Sequence, residues 1–142
     1  MTLKFSGHEA FPKPTKVSAA QVEGNCSGEK NGCFLWDYEW TNEDDVLTVK
    51  FKNSVLIMDT LTQSEQKDVL SHETRHWQIF QRYAIELKAA LEKIVKEGGE
   101  PDMDNRLQWL RYDICREDAA FHREVERFPI KICFEPTSTR PK

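Results

Sequence analysis

The feature that most restricts this chain is the stretch from Thr62 to Gly99. Thr62-Gln63-Ser64-Glu65 has the spacing of a capping box, which opens a helix, and Gly98-Gly99 closes it. Between them Val69, Trp77, Phe80, Ala84, Leu87, Leu91 and Ile94 recur at helical spacing and make one apolar stripe. His72-Glu73-Thr74-Arg75-His76 lies on that helix. Two histidines four residues apart stack on one helix face, so both imidazoles can reach one cation. Glu73 falls inside the apolar sector, with His72 and His76 along its edge, whereas Lys67, Arg75, Arg82 and Lys93 point elsewhere. Burying a lone carboxylate costs several kcal/mol as an order of magnitude, so Glu73 calls for a cation or a hydrogen-bond donor beside it. The blander alternative pairs Glu73 with a core Arg or His and leaves the two histidines capping backbone groups.

A second helix is expected from Asp102 or Asp104 to about Arg127, ahead of Pro129, with Met103, Leu107, Leu110, Ile114, Phe121, Val125 and Phe128 as its stripe. The short Gly98-Gly99-Glu100-Pro101 connection makes the two helices antiparallel neighbours. The second helix then offers a third metal ligand to His72 and His76. Asp118 stands first, with His122, Glu117 and Asp113 as the alternatives. For each of these the competing role is a salt bridge to Arg75, Arg82 or Arg123.

Before the helices the chain reads as β-structure. Leu3 and Phe5 alternate ahead of Gly7 and Pro12-Lys13-Pro14, and Val17 to Val22 reads as a further strand. Phe34, Trp36, Tyr38 and Trp40 fall on every second residue, an aromatic face on a half-buried strand, with Gly24 to Gly32 as the hairpin connection ahead of it. Val46 to Met58 is a long strand pattern that Asn53 interrupts, as a bulge or tight turn would. Ile130, Ile132 and Phe134 alternate as a last strand, and residues 136–142 read as a disordered tail. The expected fold is therefore α+β: a small, mainly antiparallel sheet packed on a two-helix hairpin, in a single domain over residues 1–135.

A chain of 142 residues with 39% hydrophobic residues supports one real core. Its net charge of −4 gives no electrostatic reason to expect a nucleic-acid partner. No apolar run reaches the length of a membrane span, and the N-terminus lacks a signal-peptide pattern. Of the four cysteines, Cys26 and Cys33 bracket a turn-rich segment short enough for a disulfide, and Cys115 and Cys133 could pair by exclusion. Four small buried thiols are the even alternative.

Leu70-Ser71-His72-Glu73-x-x-His76-Trp77-x-Ile79, followed by Tyr112-Asp113 on the next helix, resembles a family of bacterial predicted secreted zinc-dependent proteases over residues 46–128. That family's second motif carries His five residues after the Asp and then Gly; this chain has Asp118 and Ala119 there. The resemblance implies a zincin-like domain in which His72, His76 and a third ligand hold Zn²⁺. That third ligand is Asp118 as an oxygen donor or His122 from the next turn, unless the site is degenerate. It further implies Glu73 as general base, a peptide, protein or cell-wall peptide substrate, and a secreted or periplasmic location. Tyr112 or Arg111 is the candidate for steadying the transition state. The expectation from another class is a non-catalytic protein-binding or inhibitory module, with or without a structural zinc. An HExxH site closed by four protein ligands would favour a structural zinc.

Overall fold

In the computed structural model, which describes residues 1–125 and 132–141, the long strand β4 (Val46–Met58) is the axis on which the other strands assemble. Its odd-numbered residues Leu47, Val49, Phe51, Val55 and Ile57 are all buried, the period-two signature of a strand with one face on a core. β3 (Gly32–Glu43) pairs with it antiparallel along its whole length, from Gly32 opposite Ile57 to Glu43 opposite Val46. The joint between them is Asp44-Asp45, with φ of 52° and 61°. A two-residue hairpin turn that follows the strands' twist requires positive φ at both central positions, and Asp tolerates it better than most side chains.

On the other side of β4 lie two short strands, β1 (Thr2–Ser6) along its first part and β2 (Thr15–Val17) along its last, both parallel to it. The sheet is therefore mixed, with two of its three pairings parallel, rather than mainly antiparallel as the alternation alone implied. The cause lies in residues 7–14, whose Gly7 and two prolines carry the chain away from β4 and return it in the same direction. Gly7 makes this detour sterically feasible: its φ is +97°, and a Cβ there would lie 2.0 Å from the Phe51 carbonyl oxygen. Asn53, the polar interruption in β4, causes no bulge. The register runs through it unbroken, and its Nδ2 donates to the Gly7 carbonyl at 2.8 Å.

The segment after Val17 departs from the expected strand. Ser18 accepts from the Gln21 backbone N–H while the Gln21 side chain accepts from the Ser18 N–H, and this capping box starts a short helix, α1 (Ala19–Asn25). Val22, Cys26 and Cys33 are buried and pack against the half-buried Leu35, Leu56 and Met58, the opposite parity of β3 and β4, so α1 covers the sheet's second face. Cys26 and Cys33 form a disulfide there, with Cα atoms 5.6 Å apart.

The first face is covered by α2 (Gln63–Lys96) and α3 (Met103–Val125). The Thr62–Glu65 capping box is formed, and Gly98 follows the helix with φ +79°, as its position after the C-terminus requires. Phe80 is fully buried at the centre of the core, its ring 5.2 Å from Phe51, 5.2 Å from Trp36 and 5.7 Å from Phe34. Burying a side chain of that size contributes roughly 2–3 kcal/mol. Leu107, Leu110 and Ile114 of α3 close the core from above. The helices are antiparallel, as the short joint predicted: His76 meets His122 while Tyr83, further along α2, meets Glu117.

Near the chain's end, Cys115 and Cys133 form the second disulfide. Ile130 of the expected last strand lies outside the described residues. Ile132 and Phe134 belong to no strand and are 74% and 85% exposed. Within the expected tail, Arg140 makes two hydrogen bonds to Asp113, at 2.7 and 2.8 Å, and lies 4.2 Å over the Trp109 ring. No helix among the described residues is long and apolar enough to cross a membrane.

Candidate metal centre

The site forms where the N-terminal half of α2 faces the C-terminal half of α3. Helical spacing places His72 and His76 one turn apart, and the antiparallel crossing brings His122 opposite them. The Nε2 atom of His76 is 3.0 Å from that of His72 and 2.8 Å from that of His122. Glu29, from the loop closed by Cys26 and Cys33, completes the group. Its Oε1 lies 3.3 Å from His72 Nε2, 3.4 Å from His122 Nε2 and 3.6 Å from His76 Nε2. These four side chains can hold a metal ion, since their donor atoms all lie within 4.8 Å of one another. Four ligands about 2.1 Å from a tetrahedral ion stand about 3.4 Å apart, close to the spacing found here.

Asp118 is placed differently from the first expectation. It is buried, but its Oδ1 lies 2.7 Å from Nδ1 of His76, on the far side of that ring from the other nitrogens. A carboxylate only accepts, so His76 Nδ1 donates to Asp118 and Nε2 is the nitrogen turned toward the cluster. The place first assigned to Asp118 on α3 is taken by His122, one turn later.

Glu73 is 2% exposed. Its Oε1 accepts the backbone N–H of Phe34 at 3.0 Å, and its Oε2 lies 4.0 Å from His72 Nε2. The cost of burying this carboxylate is thus offset partly by an N–H of β3 and partly by the histidine beside it. Phe121 forms an apolar wall, stacked on His72 at 4.7 Å and edge-on to His76 at 5.1 Å. Beside the group a cleft of about 400 Å³ runs along the start of β3, lined by Glu29, Phe34, Trp36, His76, Asp118 and His122 among others.

The electrostatics match this arrangement. Burial alone would raise the Glu29 carboxyl, but hydrogen bonds from His122 and His72 and the charge of His76 and His72 outweigh it and hold the group at about 2. Glu29 is therefore an anion held by the histidines that face it.

The remaining expected residues lie in other interactions. Glu117 pairs with Arg82, which holds its carboxyl below the usual range, and accepts from the Tyr83 hydroxyl at 2.7 Å. Asp113 is occupied by Arg140. Tyr112 has its ring edge-on to Trp109 and beneath Arg116, while Arg111 donates to Asp37 and covers Trp36 and Tyr38. Glu29 was not foreseen. A single acid in a Gly- and Asn-containing loop has no periodicity to mark it, and the only hint was that two cysteines bracket it. Compared with known proteins, the chain matches no family model, no curated protein and no solved structure.

Proposed function

We propose that this protein is a zinc-dependent hydrolase that cleaves peptide or related amide bonds outside the cytoplasm. The observation that carries this reading is the convergence of three imidazole Nε2 atoms next to the buried carboxylate of Glu73. The donor set of three nitrogens and a carboxylate oxygen suits Zn²⁺ better than Mg²⁺ or Ca²⁺, which favour oxygen ligands. The HExxH motif, its strand-rich surroundings and the resemblance to predicted secreted zinc proteases point the same way, and the two disulfides are compatible with an oxidising location.

His72, His76 and His122 would hold the ion, with Asp118 fixing the ring of His76. When bound, the ion would supply Lewis acidity at the scissile carbonyl. Glu73 would take a proton from the attacking water as the C–O bond forms, and return it to the amine nitrogen as the C–N bond breaks. Phe121 would steady the rings of His72 and His76 by packing on them, and the cleft along β3 would receive the substrate.

One observation favours a second reading. With Glu29 counted, four protein donors surround the site, as in a structural zinc whose ligands are all protein. The chain would then be a binding module stapled by its metal. The two separate in one experiment on protein purified without chelator. The hydrolase reading expects about one zinc per chain, lost in His122→Ala, and cleavage of a peptide or cell-wall amide panel that Glu73→Ala abolishes while keeping its zinc. Stoichiometric zinc with no cleavage in any Glu29 variant supports the staple, and no zinc even after reconstitution defeats both.

A further inference from the structure

Glu29 and Glu73 both approach the same histidine. Glu29 Oε1 is 3.3 Å and Glu73 Oε2 is 4.0 Å from His72 Nε2. A hydrolase needs water as its fourth donor, within reach of its general base, whereas the fourth donor of this group is the Glu29 carboxylate. The two kinds of ligand also have different supports. The histidines project from helices of 34 and 23 residues that are packed on the core. Glu29 projects from a loop whose other members Ser27, Gly28, Lys30 and Asn31 are all exposed. That loop is secured at its base, by the Cys26–Cys33 bridge and by the Asn31 carbonyl, which accepts from Met58 N at 2.9 Å. Between these anchors Glu29 is the half-buried residue that reaches into the histidine group, and the loop forms one wall of the cleft.

We propose that Glu29 is an exchangeable internal ligand, a carboxylate stopper that keeps the three-histidine centre closed until a substrate or other carboxylate-like ligand displaces it. The inference rests on the metal-site reading above. Hydrolysis of an amide releases a carboxylate, so Glu29 occupies the fourth position much as a product would. Its loop can lift about the disulfide-closed base without moving a histidine. The three imidazoles retain the ion, whereas the fourth position is set by competition between one tethered carboxylate and ligands from solution.

The test uses the whole chain loaded with Co²⁺, whose visible absorption reports its ligands without any turnover. Wild type, Glu29→Gln and Glu29→Ala are each titrated with acetate and with acetohydroxamate. Glu29→Gln keeps the side chain's size, and thermal melting of all three proteins checks folding. Expected are one Co²⁺ per chain in all three, and spectra in both variants that respond to either ligand at concentrations about tenfold or more below those wild type needs, the factor by which a tethered carboxylate competes. Equal responses in wild type and variants would show that Glu29 does not hold the position. Loss of Co²⁺ from folded Glu29→Gln would make Glu29 a permanent ligand of a closed staple. Either result overturns the proposal and leaves the metal site standing. A wild type that takes up no Co²⁺ removes the metal site itself, and the stopper with it.

Discussion

Both ring nitrogens of His76 are committed, Nδ1 to Asp118 at 2.7 Å and Nε2 to the cluster, and this explains why Asp118 is buried without being one of the four convergent donors. Its task is to orient a ring and fix which nitrogen carries the proton. Partners of this kind typically change metal affinity about 10–100-fold when removed. Asp118→Ala is therefore expected to weaken zinc binding by about that factor, read by competition with a chromophoric chelator, while the protein still folds. Unchanged affinity would mean that His76 is held by its packing against Phe121 alone. From sequence Asp118 stood ahead of His122, yet the four convergent donors include His122 and not Asp118. Both lie on the inward side of α3 one turn apart, and the choice depends on how far each side chain reaches across the helix pair, which spacing along one helix does not encode.

At the scale of elements, the helices and the two long strands were legible because each carries its own periodicity and its own punctuation. Thr62 and Glu65 mark one end of α2 and Gly98 the other; Phe34 to Trp40 and Val46 to Met58 alternate. What failed was short or depended on pairing. Ser18-x-x-Gln21 starts a helix of only seven residues, which an apolar count over Val17–Val22 mistakes for a strand. The direction of β1 and β2 is decided by the excursion through residues 7–14, to which alternation is blind. The joint between sheet and site is Gly32, where an added Cβ would meet the Leu56 carbonyl oxygen at 2.2 Å and Val69 Cγ1 at 3.0 Å. Two residues on, the N–H of Phe34 serves Glu73. Gly32→Ala should force β3 away from β4 at this end, costing about 1–3 kcal/mol in denaturant unfolding, in line with overpacking of a filled site. It should also lower amide cleavage by the zinc-loaded protein, since Glu73 loses its donor. Full stability in Gly32→Ala would show that β3 can shift without strain, and would uncouple the strand from the site.

For the molecule as a whole, three separate closures tie elements together: the Cys26–Cys33 bridge joins the end of α1 to β3, the Cys115–Cys133 bridge joins α3 to the segment near the chain's end, and the histidine–glutamate group joins a loop to the helix hairpin. The disulfides act by restricting the unfolded chain and persist whatever the metal content. The histidine–glutamate group ties the loop after α1 to α2 and α3, and in an ion-free protein it must hold three imidazoles and two carboxylates close together on hydrogen bonds alone. A bound ion stabilises the folded state in proportion to the logarithm of its concentration over its dissociation constant, about 4 kcal/mol at a thousandfold excess. In a domain of this size each kcal/mol moves the melting temperature by roughly 2–4 °C, so removal of zinc by a chelator should lower it by roughly 8–16 °C. Scanning calorimetry of the oxidised protein with and without chelator measures this, and zinc added back should restore the original transition. His122→Ala serves as the control. It should melt near the chelated wild type and respond to chelator far less, because its ion is already lost. A wild type that melts alike with and without chelator, after loading with zinc, would mean that the group is held by its own hydrogen bonds, and the fold would then owe its closure on this side to the disulfides and the Phe80 core.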